Sequence, residues 1–357
     1  MMFGKRRSSS AKIPFTNSES FRLCTEGLQA LERFERQASR TDLEIAESQL
    51  GHCVRRYPTD MVPKFYLGSV KTLVGYRGLD EAIMLLTDVV ERGPADLKPA
   101  AQYNLAVAHI ERYDDLSFER AETILEGLAA NASRAGKSIR LLTWSARVNL
   151  LYIRAHRIWE HRDLRTADDR AAVKLVPGLE RAMEEFREEL EQSDFKNDRD
   201  ILADYWNALG TLRETQARFS RDPKQREDFG RLAKDAFGLA LESKNDWLDA
   251  KSNLARLYYE VIKDPETSRK LWAEVLQVRP DDHYAHYNLG WIDLDEGKRE
   301  EARDHFRKAA PEIVGAKVAL EMLDQEDDPR TIREVVDQRR AESGYDHKEP
   351  SEERGLP

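Results

Sequence analysis

The sequence predicts an all-α chain built from antiparallel helix pairs stacked in series. Three observations carry this. Small and large apolar residues recur at i, i+4, i+7, the period of one helix face, as in Ala302, Phe306 and Ala309 or Ala233, Phe237 and Ala240. Glycine (18) and proline (13) are scarce among 357 residues, and β-branched runs are few. A third signal is self-similarity: a Leu-Gly or Leu-Ala step, a polar turn, then a small–large–small face returns several times, the mark of a repeat architecture.

The clearest copy is His283 to Ala310. Leu289 and Gly290 sit midway along a first helix, where a small residue admits close approach of another helix. Gly297 stops that helix, because glycine tolerates the left-handed turn required there. Asp295 to Lys298 is a short polar turn, so the helix carrying Ala302, Phe306 and Ala309 must return antiparallel. Phe306 between two alanines suits knob-into-gap packing on the first helix.

Earlier copies follow in order. Ser18–Ala38 and Leu43–Arg56 form a first pair, closed by Tyr57-Pro58. Val62–Val74, with Leu67-Gly68, pairs with Leu79–Glu91. A third pair runs from Pro99, with Leu105-Ala106 and then Ala121, Leu125 and Leu128, its inner turn lengthened cheaply at the solvent side. The fourth pair is irregular: a long helix Ser138–Arg162, a polar stretch, then a face of Leu179, Ala182, Phe186 and Leu190. In the fifth, Trp206, Leu209 and Gly210 precede an insertion around Phe219–Pro223. The sixth carries Leu254-Ala255, Tyr258, Ser268, Trp272, Val275 and Pro280. After the seventh, Val314–Leu323 reads as a cap over the last apolar face, and Asp328-Pro329 opens one more short helix.

These residues and spacings resemble the tetratricopeptide repeat, most clearly at 61–94, 247–280 and 283–311. The resemblance implies a right-handed superhelical solenoid of about six to seven repeats with a C-terminal capping helix. It departs from the family at His286 and Asp293, where a large aromatic and a tyrosine are usual. The organisation expected is a basic disordered tail over 1–17, repeats over 18–324, and a charged helix and disordered tail over 325–357.

Composition bounds the function. A net charge of −9 argues against general affinity for nucleic acid or anionic membrane, and no apolar run reaches membrane-spanning length. The N-terminus lacks the apolar core of a signal peptide. With two cysteines, Cys24 and Cys53, the simplest expectation is a reduced, cytoplasmic protein in which Cys53 is a packing residue. No phosphate loop, dinucleotide fingerprint, zinc-protease motif, C-x-x-C pair or nucleophile elbow occurs, and repeats occupy the chain. The expectation is therefore a non-enzymatic scaffold or adaptor with no cofactor and no metal; His283 and His286 share a helix face but lack a third ligand of suitable spacing.

The resemblance places the first helix of each pair on a concave groove. There Asn104, Asn253 and Asn288 each precede the leucine of the Leu-small step. Their amides could clamp the backbone of a bound peptide, or serve as ordinary helix-surface residues. Asp249 and Arg256 accompany Asn253, while Tyr284, Tyr287 and Trp291 form one stripe at i, i+3, i+7 that could hold a partner or pack against the cap. The alternative surface is the basic stretch 134–165, with Arg140, Arg147, Arg154, Arg157 and Arg162. It could bind RNA or an acidic protein, or be a solvated, paired helix.

Overall fold

The computed structural model describes residues 18–37, 39–112, 115–130, 137–160, 174–244, 247–325 and 327–343. The tail expected over 1–17, the residues past 343 and Arg162 lie outside them. Among the described residues the chain is all-α, and two compact units divide it, Met1–Lys263 and Asp264–Pro357.

The first unit holds α1 (Ser18–Gln37), α2 (Arg40–Arg56), α3 (Met61–Val74), α4 (Leu79–Arg92), α5 (Lys98–Arg112) and α6 (Asp115–Ala130). It continues with α7 (Lys137–Glu160), α8 (Val176–Glu191), α9 (Arg199–Phe219), α10 (Pro223–Ser243) and α11 (Leu248–Leu257). Asp and Ser start the helices: Ser39, Asp60, Asp198 and Asp222 each accept a backbone N–H in the first turn. Each helix packs on its neighbour in sequence, and the first helices α1, α3, α5, α7, α9 and α11 also lie side by side. The small residues perform as the spacing predicts. A Cβ on Gly68 would come within 2.8 Å of Leu86, and one on Gly210 within 2.6 Å of the Phe237 ring.

Three local findings differ from the sequence reading. The fifth-pair insertion is not a loop: α9 and α10 are 21 residues each, so the extra residues lengthen both helices. The fourth pair is long-legged, and α7 packs extensively on α9, with Trp144, Phe186 and Tyr205 in edge and stacked contact between the elements. Cys24 and Cys53 are joined in a disulfide with Cα atoms 5.7 Å apart, which corrects the expectation of two reduced thiols. Cys53 does occupy a fully buried position, as expected, but the antiparallel packing of α1 on α2 sets Cys24 directly across from it.

A π turn, Tyr258–Ile262, follows α11 and ends at Lys263 in the left-handed region (φ 65°). The second unit then holds α12 (Pro265–Val278), α13 (His283–Asp295), α14 (Arg299–Ala309), α15 (Val314–Asp324) and α16 (Pro329–Ser343). Gly297 takes a φ of 76° at the α13 stop, as its position predicts. Phe306 is fully buried against Gly290, Tyr287 and Trp291. The cap expected over Val314–Leu323 is α15, and α16 packs on it.

Candidate functional site

The first helices of the first unit lie side by side, and buried amides join neighbours among them. Asn104 on α5 donates to Ser69 Oγ on α3 at 2.8 Å. Asn149 on α7 donates to the Tyr103 hydroxyl on α5 at 3.0 Å, and Asn253 on α11 donates to Asn207 Oδ1 on α9 at 3.0 Å. All six groups are buried, where an unmade hydrogen bond would cost the full desolvation penalty. Of the asparagines singled out from the sequence, Asn104 and Asn253 thus hold neighbouring first helices in register. Their partners Ser69 and Asn207, and the separate Tyr103–Asn149 pair, were not anticipated as bonds; the available signal was polar residues recurring on first helices about one repeat apart.

Beside Asn253, Arg256 makes a fork on fully buried Glu214, with contacts of 3.0 and 2.8 Å. Arg218 lies 3.3 Å from the same carboxylate and also pairs with Glu260. Asp249 accepts from the Trp247 indole at 3.2 Å and stays partly exposed.

Elsewhere on the first unit Glu35, near the end of α1, is pushed up to about 7, first by burial and then by Glu32 and Asp200, with Lys244 opposing. The same burial and the same glutamates push the Tyr66 phenol up. Asp200 and Lys244 are themselves 4.0 Å apart. Nothing in the sequence connects Glu35 with a residue so far along the chain.

In the second unit Tyr287, Asn288 and Trp291 are buried and Tyr284 is partly exposed. Asn288 turns its amide back onto the Tyr284 carbonyl at 2.8 Å. Trp291 meets Phe306 edge-on at 5.2 Å and Tyr287 at 5.9 Å. Arg333 from α16 stacks over the Trp291 ring at 4.3 Å and donates to Asp295 at 2.9 and 3.0 Å.

The departures at His286 and Asp293 form a buried polar network in place of aromatic packing. His286 Nε2 lies 2.8 Å from the Pro280 carbonyl, which can only accept, so the proton sits on that nitrogen. Its Nδ1 then accepts from His305 Nδ1 at 2.9 Å. Asp293 takes Arg269 at 2.7 Å and faces His305 Nε2 at 3.6 Å. Burial pulls both imidazoles below their ordinary range.

Arg140, Arg147, Arg154 and Arg157, the arginines of the basic stretch within the described residues, are paired. Arg140 faces Asp194 at 3.8 Å and Arg147 holds Glu189 at 2.7 Å. Arg154 reaches Glu122 and Glu126, and Arg157 also reaches Glu122. Among the described residues no group of His, Cys, Asp or Glu is arranged to hold a metal ion, and no helix is long and apolar enough to cross a membrane.

The chain resembles tetratricopeptide-repeat proteins. Its structure is similar to yeast Tom70, with 14% identity and a TM-score of 0.34, over 91% of this chain and 70% of that one. It is also similar to YrrB, a tetratricopeptide-repeat protein described as having an unusual peptide-binding site: 12% identity, TM-score 0.26, 66% of this chain and 95% of that. Cut9 with Hcn1, from the APC/C, matches at 14% identity and a TM-score of 0.27, over 90% of this chain and 72% of that. No family model and no curated protein matches the chain in sequence. Likeness at this level concerns the fold, and the repeat assignment rests on the chain's own helix pairs.

Proposed function

We propose that the protein is a non-enzymatic interaction scaffold whose first helices hold a segment of a partner protein. The observation that supports this is the row of first helices in the first unit, with α3 joined to α5, α5 to α7 and α9 to α11 by the Ser69–Asn104, Tyr103–Asn149 and Asn207–Asn253 bonds. A row ordered before binding spares a partner the entropy of arranging it. In this reading Asp249 and Arg256 offer polar contact on the first unit, where Asn104 and Asn253 keep the helices in shape; on the second unit, taken by itself, Tyr284 offers aromatic contact and Asn288, Tyr287 and Trp291 shape its helix. The test is affinity capture by the full chain against an Asp249→Ala chain with unchanged circular dichroism. Loss of specific captured proteins in the variant supports the reading; an identical capture profile overturns it.

The pairing of Arg140, Arg147, Arg154 and Arg157 with carboxylates favours the scaffold reading over the nucleic-acid alternative. Binding to RNA that weakens steeply with salt would reinstate it. The expectation of a cytoplasmic setting is likewise a proposal, and the Cys24–Cys53 bond counts against it, because such bonds persist mainly in oxidising compartments.

A further inference from the structure

We propose that the Trp291–Asp295 face of α13 is an arginine-recognition site, occupied in cis by Arg333 of α16, which takes an arginine-bearing helix of a partner protein in trans. This rests on the scaffold reading and names the chemistry of one of its surfaces.

Trp291 and Asp295 stand one helical turn apart, so the indole face and the carboxylate point the same way. Over that pair the Arg333 guanidinium carbon lies 4.3 Å from the ring centroid, and its Nη2 donates to both carboxylate oxygens at 2.9 and 3.0 Å. A planar guanidinium can sit over an aromatic face and still reach a carboxylate beside it, which favours arginine over lysine. The indole is held in place from behind by Phe306 and Tyr287, so the face is set by the repeat core and not by its occupant.

A second contact defines what else the face reads. Three residues after Arg333, Val336 is buried beside Gly315, where a Cβ would lie 3.2 Å from its methyl and 2.8 Å from the Tyr287 hydroxyl. Glycine at 315 thus leaves a slot for an apolar side chain one turn along. The matching ligand is a helix carrying arginine and, three positions on, a small branched residue.

The occupant is poised to exchange. α16 packs on α15. Arg333 and Asp295 remain 40% and 45% exposed, so a competing guanidinium can reach the carboxylate before α16 has left.

The experiment uses the full chain and a fluorescein-labelled synthetic peptide of residues 327–343, followed by anisotropy. The Arg333→Ala chain should bind the peptide at least about fivefold more tightly than the unaltered chain, since its own occupant is weakened. Adding Asp295→Asn, at a half-exposed position safe for folding, should abolish the gain. A peptide with alanine for Arg333 should bind neither chain better than background. Equal binding to unaltered and Arg333→Ala chains, or no preference for the arginine peptide, overturns the proposal. If the Arg333→Ala chain instead dimerises on gel filtration and the peptide disperses the dimer, the face serves a second copy and the foreign-helix assignment fails. The peptide assay does not use the first helices of the first unit, so its failure leaves the capture experiment standing, and the reverse.

Discussion

Replacing Gly290 by alanine tests the packing on which the second unit depends. A Cβ built there would lie 2.7, 2.8 and 3.0 Å from three carbons of the Phe306 ring. Carbon pairs rest at about 3.5–4.0 Å, so the ring would have to retreat by close to an ångström. It has nowhere to go: Phe306 is fully buried and edge-on to Trp291 at 5.2 Å and Tyr287 at 6.1 Å. Overpacking of this kind costs about 1–3 kcal/mol, whereas glycine to alanine inside a helix returns about 1 kcal/mol. The net expectation is a loss of about 1 kcal/mol. In a Phe306→Leu background the ring is gone, and the same substitution should stabilise by about 1 kcal/mol. The two substitutions are thus coupled by about 2 kcal/mol, measurable as a double-mutant cycle in urea unfolding followed by circular dichroism. A Gly290→Ala chain as stable as the original, or effects additive within about 0.5 kcal/mol, would refute the reasoning.

Other outcomes follow from the same structure. Reducing Cys24–Cys53, whose sequence separation is 29, should lower stability by about 3–4 kcal/mol on the chain-entropy argument, read as a drop in urea midpoint with reductant; two titratable thiols in the untreated, unfolded chain would sink it. His286 and His305 are both held below their ordinary range, so the unfolded chain binds their protons more readily than the folded one. Their contribution should be complete above about pH 6.5 and fall as the pH drops below it, with Lys308 and Arg269 steepening the fall and Asp282 and Asp293 easing it. Unfolding at pH 7.5 and 5.5 measures this, and a drop undiminished in His305→Gln would exclude the pair as its source. Removing Arg256 leaves fully buried Glu214 short of its fork and should cost on the order of 3 kcal/mol, while Asp249→Ala should stay within about 0.5 kcal/mol; equal losses in thermal unfolding would contradict the burial argument.

The helix pairs were legible because local chemistry sets them. Period, caps and stops are properties of neighbouring residues, so Gly297, Pro58 and the Ala302–Phe306–Ala309 face could be read directly. Gly290 and Gly210 announced close approach, and the rings of Phe306 and Phe237 are what approach them. Even α15 and α16 were foreseen as elements. What those elements touch was not. The sequence showed Asn104 and Asn253 as a recurring residue type, and only the folded chain shows their amides bonded to Ser69 and Asn207, 35 and 46 residues away. It showed Tyr287 and Trp291 as an aromatic stripe, and only packing brings Arg333 over that stripe. It showed two cysteines, and only antiparallel docking of α1 on α2 made them a bond. Helix formation answers to residues within a turn or two, whereas the fate of an amide, an indole or a thiol depends on what a distant helix sets against it. That distance is fixed by stacking, which no local pattern encodes.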